Sequence, residues 1–386
     1  MITINKKFGA TTPAYNPIIF EVSSPEQIRT DFKYLVNVYD ANGGLLSTSK
    51  KVGGATVGAV INIDVMNTIS RTQSLYKFYR PQVINQYTYQ DATFKKHYTV
   101  QIAEFYNGAI QATQTNDVYT IPAAIPTLKN TFAPPLNTPT WLTNFKIINT
   151  RLGDQTVHSF LSNSEGMMNA YLSCFDKNGQ LIQSYILPFQ NNLTANNVFH
   201  FHTDFLELAR SVLMPPQTIP TATYKIQTST GGNDTLTFNI KEQNPKYEGV
   251  RLQFLNEFGA VDSFNFDLAL RRNTLIEKKK AKLQNNNTAF GNINAPFYVK
   301  YNDVLKITSD FITDAESVAL LELFTSPIIN LECEASLFFP AAKGIKILVP
   351  VEVDQTNYEI KKSVIDKLFN VELEVKISVE NTRQTL

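Results

Sequence analysis

The chain writes one β-hairpin twice, and that repetition limits what it can fold into more than any single motif. Residues 34–49 read YLVNVYDANGGLLSTS and residues 170–185 read AYLSCFDKNGQLIQSY, in register at a constant offset of 136 residues. Phe175 stands for Tyr39, Asp176 for Asp40, and Asn178-Gly179 for Asn42-Gly43. Side chains alternate along a strand, so Leu35, Asn37 and Tyr39 point one way and Tyr34, Val36 and Val38 the other. Asp40-Ala41-Asn42-Gly43-Gly44 supplies residues that tolerate positive φ, and Leu45-Leu46 begins the return strand. Each hairpin is followed by an alternating strand that runs into a short helical pattern (residues 59–72 and 198–212), then by a further strand (97–105 and 222–230). Asn-Gly hairpins recur by chance in any β protein, but agreement over three successive elements favours two related β-sandwich domains in tandem.

The boundary between them falls in residues 121–141, IPAAIPTLKNTFAPPLNTPTW, whose prolines cannot sit in a central sheet and read as an extended, semi-rigid linker. The first domain is set at residues 1–128 and the second at 129–246. Residues 73–96 have no counterpart in the second copy. Their aromatics, Tyr76, Phe78, Tyr79, Tyr87, Tyr89 and Phe94, mark an insertion that is a candidate contact loop or projecting hairpin. From Tyr247 the pattern changes. Two alternating segments flank residues 256–262, and strand-like residues 297–309 precede a helix signalled by a Thr313/Glu316 capping box and by apolar Val318, Leu320, Leu321 and Phe324. Ser326-Pro327 stops that helix, and strands are expected at 328–338, 345–353 and 371–379. The expected class is therefore mainly β: two tandem related β-sandwich domains followed by an α+β C-terminal domain, residues 247–386.

Twenty-six Phe, 17 Tyr and 18 Pro in 386 residues agree with strands and turns over long helices. The net charge of +1 gives no global case for nucleic acid or an anionic membrane, so such a partner needs a local patch. Cys174 and Cys333 stand far apart in apolar, strand-like surroundings, which suits buried reduced thiols. The first residues lack an apolar signal-like core and no 18-residue apolar run occurs, so the expectation is a soluble protein made in a cytoplasm, with no membrane partner.

No P-loop, Rossmann fingerprint, nucleophile elbow or HExxH pattern is present, and neither an enzymatic activity nor a cofactor is expected. His200 and His202 share one side of a strand and would hold a metal only if a third ligand such as Asp204 joined them; by alternation they read as polar residues on a solvent face opposite Phe199 and Phe201. Asp40 and Asp176 are turn residues. The densest charge feature is RRNTLIEKKKAKL, in which Arg271, Arg272, Lys278, Lys279, Lys280 and Lys282 are interrupted only by Glu277. It reads as a solvated edge strand guarded by lysines, or as a patch that meets a partner or DNA without sequence preference. The aromatics of residues 73–96 read as partner contacts, core or glycan-stacking platforms.

The run YEGVRLQFLNEFGAVDSFNFDLALRRNTLIEKKK, residues 247–280, resembles a pattern in structural proteins of tailed phages that infect Bacteroidetes, crAss-like podoviruses among them. ITSDFITDAESVALLELFTSPIINLE and PVEVDQTNYEIKKSVIDKLFNVELEVKISVEN are similar to the rest of that pattern, as are PAYNPIIFEV and DFKYLVNVYD near the start. Where the family has Gly-Gly or Gly-Trp after FG, this chain has Ala260-Val261. The resemblance implies a virion tail component, assembled in the host cytoplasm: a ring, hub or tail-barrel subunit forming a homo-oligomer around the tail axis. It also implies contacts with other tail or portal-proximal proteins and possible non-specific contact with DNA passing through the tail. A receptor- or carbohydrate-binding protein of the virion or cell surface is the alternative.

Overall fold

In a computed structural model, the residues described are 2–5, 11–73, 88–91, 93–126, 129, 140–151, 154, 157–162, 169–188, 197–202, 223–228, 234–240, 249–284, 292–353, 358, 369–378 and 381–382. The fold is mainly β. By contacts the chain divides into two compact units: Met1–Ile147, Leu152–Ile240 and Asn256–Val261 form one, and Ile148–Arg151, Lys241–Leu255 and Asp262–Leu386 the other.

In the first unit, Lys33–Asp40 pairs antiparallel with Leu45–Val52, with a bulge between Val38 and Tyr39. The sheet runs in the order Thr12–Pro13, Ala109–Ile121, Lys96–Tyr106, Lys33–Asp40, Leu45–Val52. Its inner face supplies Tyr34, Val36, Val38, Tyr98, Val100, Ile102 and Val118 to one hydrophobic cluster. A three-stranded sheet of Thr3–Ile4, Ile19–Ser23 and Ile61–Asp64 supplies Phe20, Val22 and Ile63 to the same cluster, so the two sheets close on one core as a sandwich. On the outer face the Asn37 amide and the Tyr39 hydroxyl both donate to Gln101 Oε1, at 3.1 and 3.3 Å. Each buried Val or Phe contributes about 1.5–3 kcal/mol, and a one-residue slip would turn the whole set to solvent, which is what fixes the register.

The second hairpin repeats the first down to its bulge. Asn169–Phe175 pairs with Leu181–Pro188, and the irregularity lies between Cys174 and Phe175, 136 residues after Val38 and Tyr39. Asn169–Phe175 pairs on its other side with Thr223–Thr228, and that strand with Thr235–Ile240, the same strand order as in the first copy. Val157–Ser162 pairs with Asn197–His202, Phe160 opposite Phe199, as Ile19–Ser23 pairs with Ile61–Asp64, Phe20 opposite Ile63. Trp141 packs on Phe160 and Phe201, and its indole N–H donates to the Asp234 carbonyl at 3.2 Å. One strand of this small sheet comes from the insertion: Thr88–Asp91 pairs with Asn197–His202, Tyr89 opposite His200.

The second unit is built on an antiparallel sheet in the order Val261–Phe266, Val250–Leu255, Ile329–Glu334, Lys346–Val353, Glu372–Ile377, Asn292–Thr308, Ala269–Gln284. Its helix, Asp314–Thr325, starts at the expected capping box: Thr313 Oγ1 accepts from Glu316 N at 3.3 Å, and Glu316 Oε2 accepts from Thr313 N at 2.8 Å. The helix buries only part of its expected apolar set. Leu320 and Leu323 are buried with Glu316, Ser317 and Glu322, while Val318 and Leu321 are exposed. Specific polar bonds turn it: the Asn149 amide donates to Glu316 Oε1 at 2.8 Å, the Tyr358 hydroxyl donates to the Ser317 carbonyl at 2.9 Å, and the Tyr358 ring stacks on Phe324. The strand expected at 328–338 ends at Glu334, where Ala335–Leu337 forms a 3-10 turn.

Candidate functional site

The basic run lies on Ala269–Gln284, the end strand of the second unit's sheet, paired antiparallel with Asn292–Thr308. Its 16 residues span roughly 50 Å at about 3.3 Å per residue. Residues 271–280 are exposed throughout. Alternation divides the cations: Arg271 and Lys279 share one face with Leu275 and Glu277, and Arg272, Lys278 and Lys280 share the other with Ile276. Lys282 continues the strand, with its side chain outside the described residues.

Arg272 differs from the rest because it is already held. Its guanidinium donates to Asp303 Oδ2 and to the Leu337 carbonyl, both at 2.6 Å, and lies over the Phe338 ring at 5.1 Å. Asp303 also accepts from Thr274 Oγ1 at 2.7 Å. Burial pushes the Asp303 carboxyl up, but the two hydrogen bonds and the Arg272 charge outweigh burial and hold it below its ordinary value. Arg271, Lys278, Lys279 and Lys280 are the open cations, although the Lys279 ammonium sits 5.4 Å over the Tyr298 ring.

Of the insertion aromatics, Tyr76, Phe78, Tyr79 and Tyr87 lie outside the described residues; Tyr89 is on the strand Thr88–Asp91, with its side chain outside them. Phe94 is buried, edge-on to the His200 ring at 5.6 Å. Beside it, the Lys95 ammonium lies 4.7 Å over the Tyr119 ring, and burial lowers its pKa to about 8.

His200 is not on a solvent face. It is fully buried, its Nδ1 hydrogen-bonded to Ser159 Oγ at 2.8 Å. The expectation fails because Phe94 covers the face that simple alternation leaves to water. Among the described residues no group of three or more His, Cys, Asp and Glu could hold a metal; the His202 side chain and Asp204 lie outside them. Cys174 and Cys333 are buried and form no disulfide, as expected, and burial pushes the Cys174 thiol up to about 12, far from the range of a reactive thiolate. Among the described residues no helix is long and apolar enough to cross a membrane.

Asp40 and Asp176 serve their turns. Asp40 Oδ1 accepts from Asn42 N and Gly44 N at 2.9 and 2.7 Å, and Asp176 Oδ1 accepts from Asn178 N and Gln180 N, both at 2.8 Å. A third turn of the same build closes residues 256–260: Asn256 Oδ1 accepts from Phe258 N and Ala260 N, both at 3.0 Å. The glycines at the fourth position, Gly43, Gly179 and Gly259, all have φ between +74° and +80°. The signal was in the sequence as Asp/Asn-x-x-Gly, hidden by the change from Asp to Asn. The third turn is packed on both ends: the Asn256 amide donates to the Leu142 carbonyl at 2.8 Å, and Ala124 N donates to the Glu257 carbonyl at 2.8 Å.

The second unit also buries a polar network on its sheet. Arg251, 3% exposed, donates to Ser263 Oγ at 2.6 Å and to Asn265 Oδ1 at 3.3 Å, and lies 4.0 Å from Glu332. Glu332 accepts from the Gln253 amide at 2.6 Å. Such paired, hydrogen-bonded charges fit a structural role. No family model matches the chain, and no curated protein matches it in sequence.

Proposed function

We propose that the chain is a structural subunit of a phage tail, a ring or hub component that assembles around the tail axis and connects neighbouring tail proteins without catalysing a reaction. The observation that supports this reading best is the repetition of one sheet, with the same strand order, bulge position and turn, in two places of one chain. Two related sandwiches give a subunit two similar but not identical surfaces. Identical subunits that join through different surfaces make heterologous contacts, which close into a ring when the rotation permits. The polar bonds that lock the turns, the Arg251 network and the helix cap make for a stiff scaffold, as an assembly part requires.

Native mass spectrometry and negative-stain electron microscopy of the purified full chain test the proposal. A closed ring of fixed subunit number is expected. A monomer at every concentration, or glycan-array binding that is lost on replacing Tyr76, Tyr79 and Tyr89 with Ala, would refute it.

A further inference from the structure

We infer that the long hairpin of Ala269–Gln284 and Asn292–Thr308 is an intersubunit arm that docks on the acidic remainder of the second unit of another copy of this chain. The inference rests on the self-assembly reading above and names the surface that carries it. Exposure is the first ground. Leu275 and Ile276, neighbours on opposite faces of the strand, are each 59% exposed. Apolar residues open on both faces suit an arm that is gripped, whereas a strand that ends in solvent avoids them.

Charge is the second ground. The second unit holds 19 Lys and Arg against 19 Asp and Glu, and six of those cations, with one carboxylate, fall between Arg271 and Lys282. The rest of the unit therefore has thirteen cations against eighteen carboxylates. Glu277, the one carboxylate of the run, stands opposite Lys300 in register, so the arm's field stays positive. Glu352, Glu372 and Glu374 are exposed on the strands Lys346–Val353 and Glu372–Ile377, although Glu352 stands opposite Lys376 in register and Glu374 pairs with Lys306. A surface divided in this way is complementary to a copy of itself.

A polyanion is the competing occupant. It is disfavoured because Leu275 and Ile276 offer nothing to a phosphate backbone, and of the two arginines, whose planar fork best suits phosphate, Arg272 is already engaged by Asp303 and Arg271 alone is open.

The test is sedimentation and light scattering of the full-length protein beside two variants, Lys278→Glu/Lys279→Glu/Lys280→Glu and Leu275→Ser/Ile276→Ser, with circular dichroism confirming that both fold. Self-association is expected to weaken about tenfold or more in each variant and to fall as salt is raised. Carbodiimide coupling is expected to join lysines of the arm to Glu352 or Glu372 of a second, isotopically labelled copy. A wild-type oligomer that both variants leave unchanged overturns the arm and leaves self-assembly standing. A wild type that stays monomeric overturns self-assembly and the arm with it. Duplex DNA binding abolished by the triple variant, with the oligomer unaffected, overturns the arm in favour of a polyanion site.

Discussion

Gly43, Gly179 and Gly259 occupy the same position of the same turn, yet alanine is expected to act very differently at the three. All have φ in the left-handed region, where a Cβ costs about 1 kcal/mol relative to glycine. Alanine recovers about 0.4–1 kcal/mol of that by restricting the unfolded chain. At Gly43 and Gly179 an added Cβ meets nothing within 4 Å, so each substitution is expected to cost no more than about 1 kcal/mol. At Gly259 the Cβ falls 2.1 Å from the Pro122 carbonyl oxygen and 2.6 Å from its carbon. Backbone cannot yield as a side-chain tip does, and overpacking of this kind costs about 1–3 kcal/mol more. The forced movement also pulls on the Ala124–Glu257 and Asn256–Leu142 hydrogen bonds. Gly259→Ala is therefore expected to destabilise the first unit by about 3 kcal/mol. Trp141, the sole tryptophan, lies in that unit, so its fluorescence through a urea titration reports the relevant transition. A Gly259→Ala midpoint indistinguishable from that of Gly179→Ala would sink the reasoning, because the Pro122 contact and the two hydrogen bonds beside it are what separate the two.

Arg251→Ala leaves Glu332 buried without its guanidinium and is expected to cost about 3–5 kcal/mol in chemical denaturation of the second unit, whereas the double change Arg251→Met/Glu332→Leu recovers most of the loss. Lys95 has its pKa lowered by burial to about 8, so between pH 8 and 10 the unfolded chain binds more protons than the native one and stability rises with pH. Lys95→Met is expected to flatten that rise in urea midpoints measured across the window. Asp303 has its carboxyl held below the ordinary 3.8 by Arg272 and Thr274, so its contribution is complete above that pH and lost as pH falls through the lower native value. Arg272→Ala is expected to remove this part of the acid limb in thermal melts taken between pH 5 and 2.

Local rules were legible wherever a residue acts on its own neighbours. The two hairpins, the capping box at Thr313 and the edge placement of the basic strand all follow from turn chemistry, alternation and charge. Burial set by a distant segment was not legible. His200 reads as a surface residue because nothing within its own strand says that Phe94, more than a hundred positions earlier, will cover it. Val318 and Leu321 read as core for the same reason: Asn149 and Tyr358, which hold the opposite face of the helix inward, are far away in sequence. For the basic strand, sequence showed the charge but not that Arg272 is spoken for.

The strand Thr88–Asp91 pairs with Asn197–His202 across more than a hundred residues of chain, and this bears on how the molecule is made. The small sheet of the second copy ends in a strand that the second copy does not encode. As the chain leaves the ribosome, the first copy can close on its own core while its insertion waits for a partner still to be synthesised. A fragment cut at the proline-rich stretch would lose that strand and bare the edge of Asn197–His202, inviting exchange of Thr88–Asp91 between molecules. The duplicated halves are thus similar in build and unequal in independence: one lends a strand, and the other is incomplete without it.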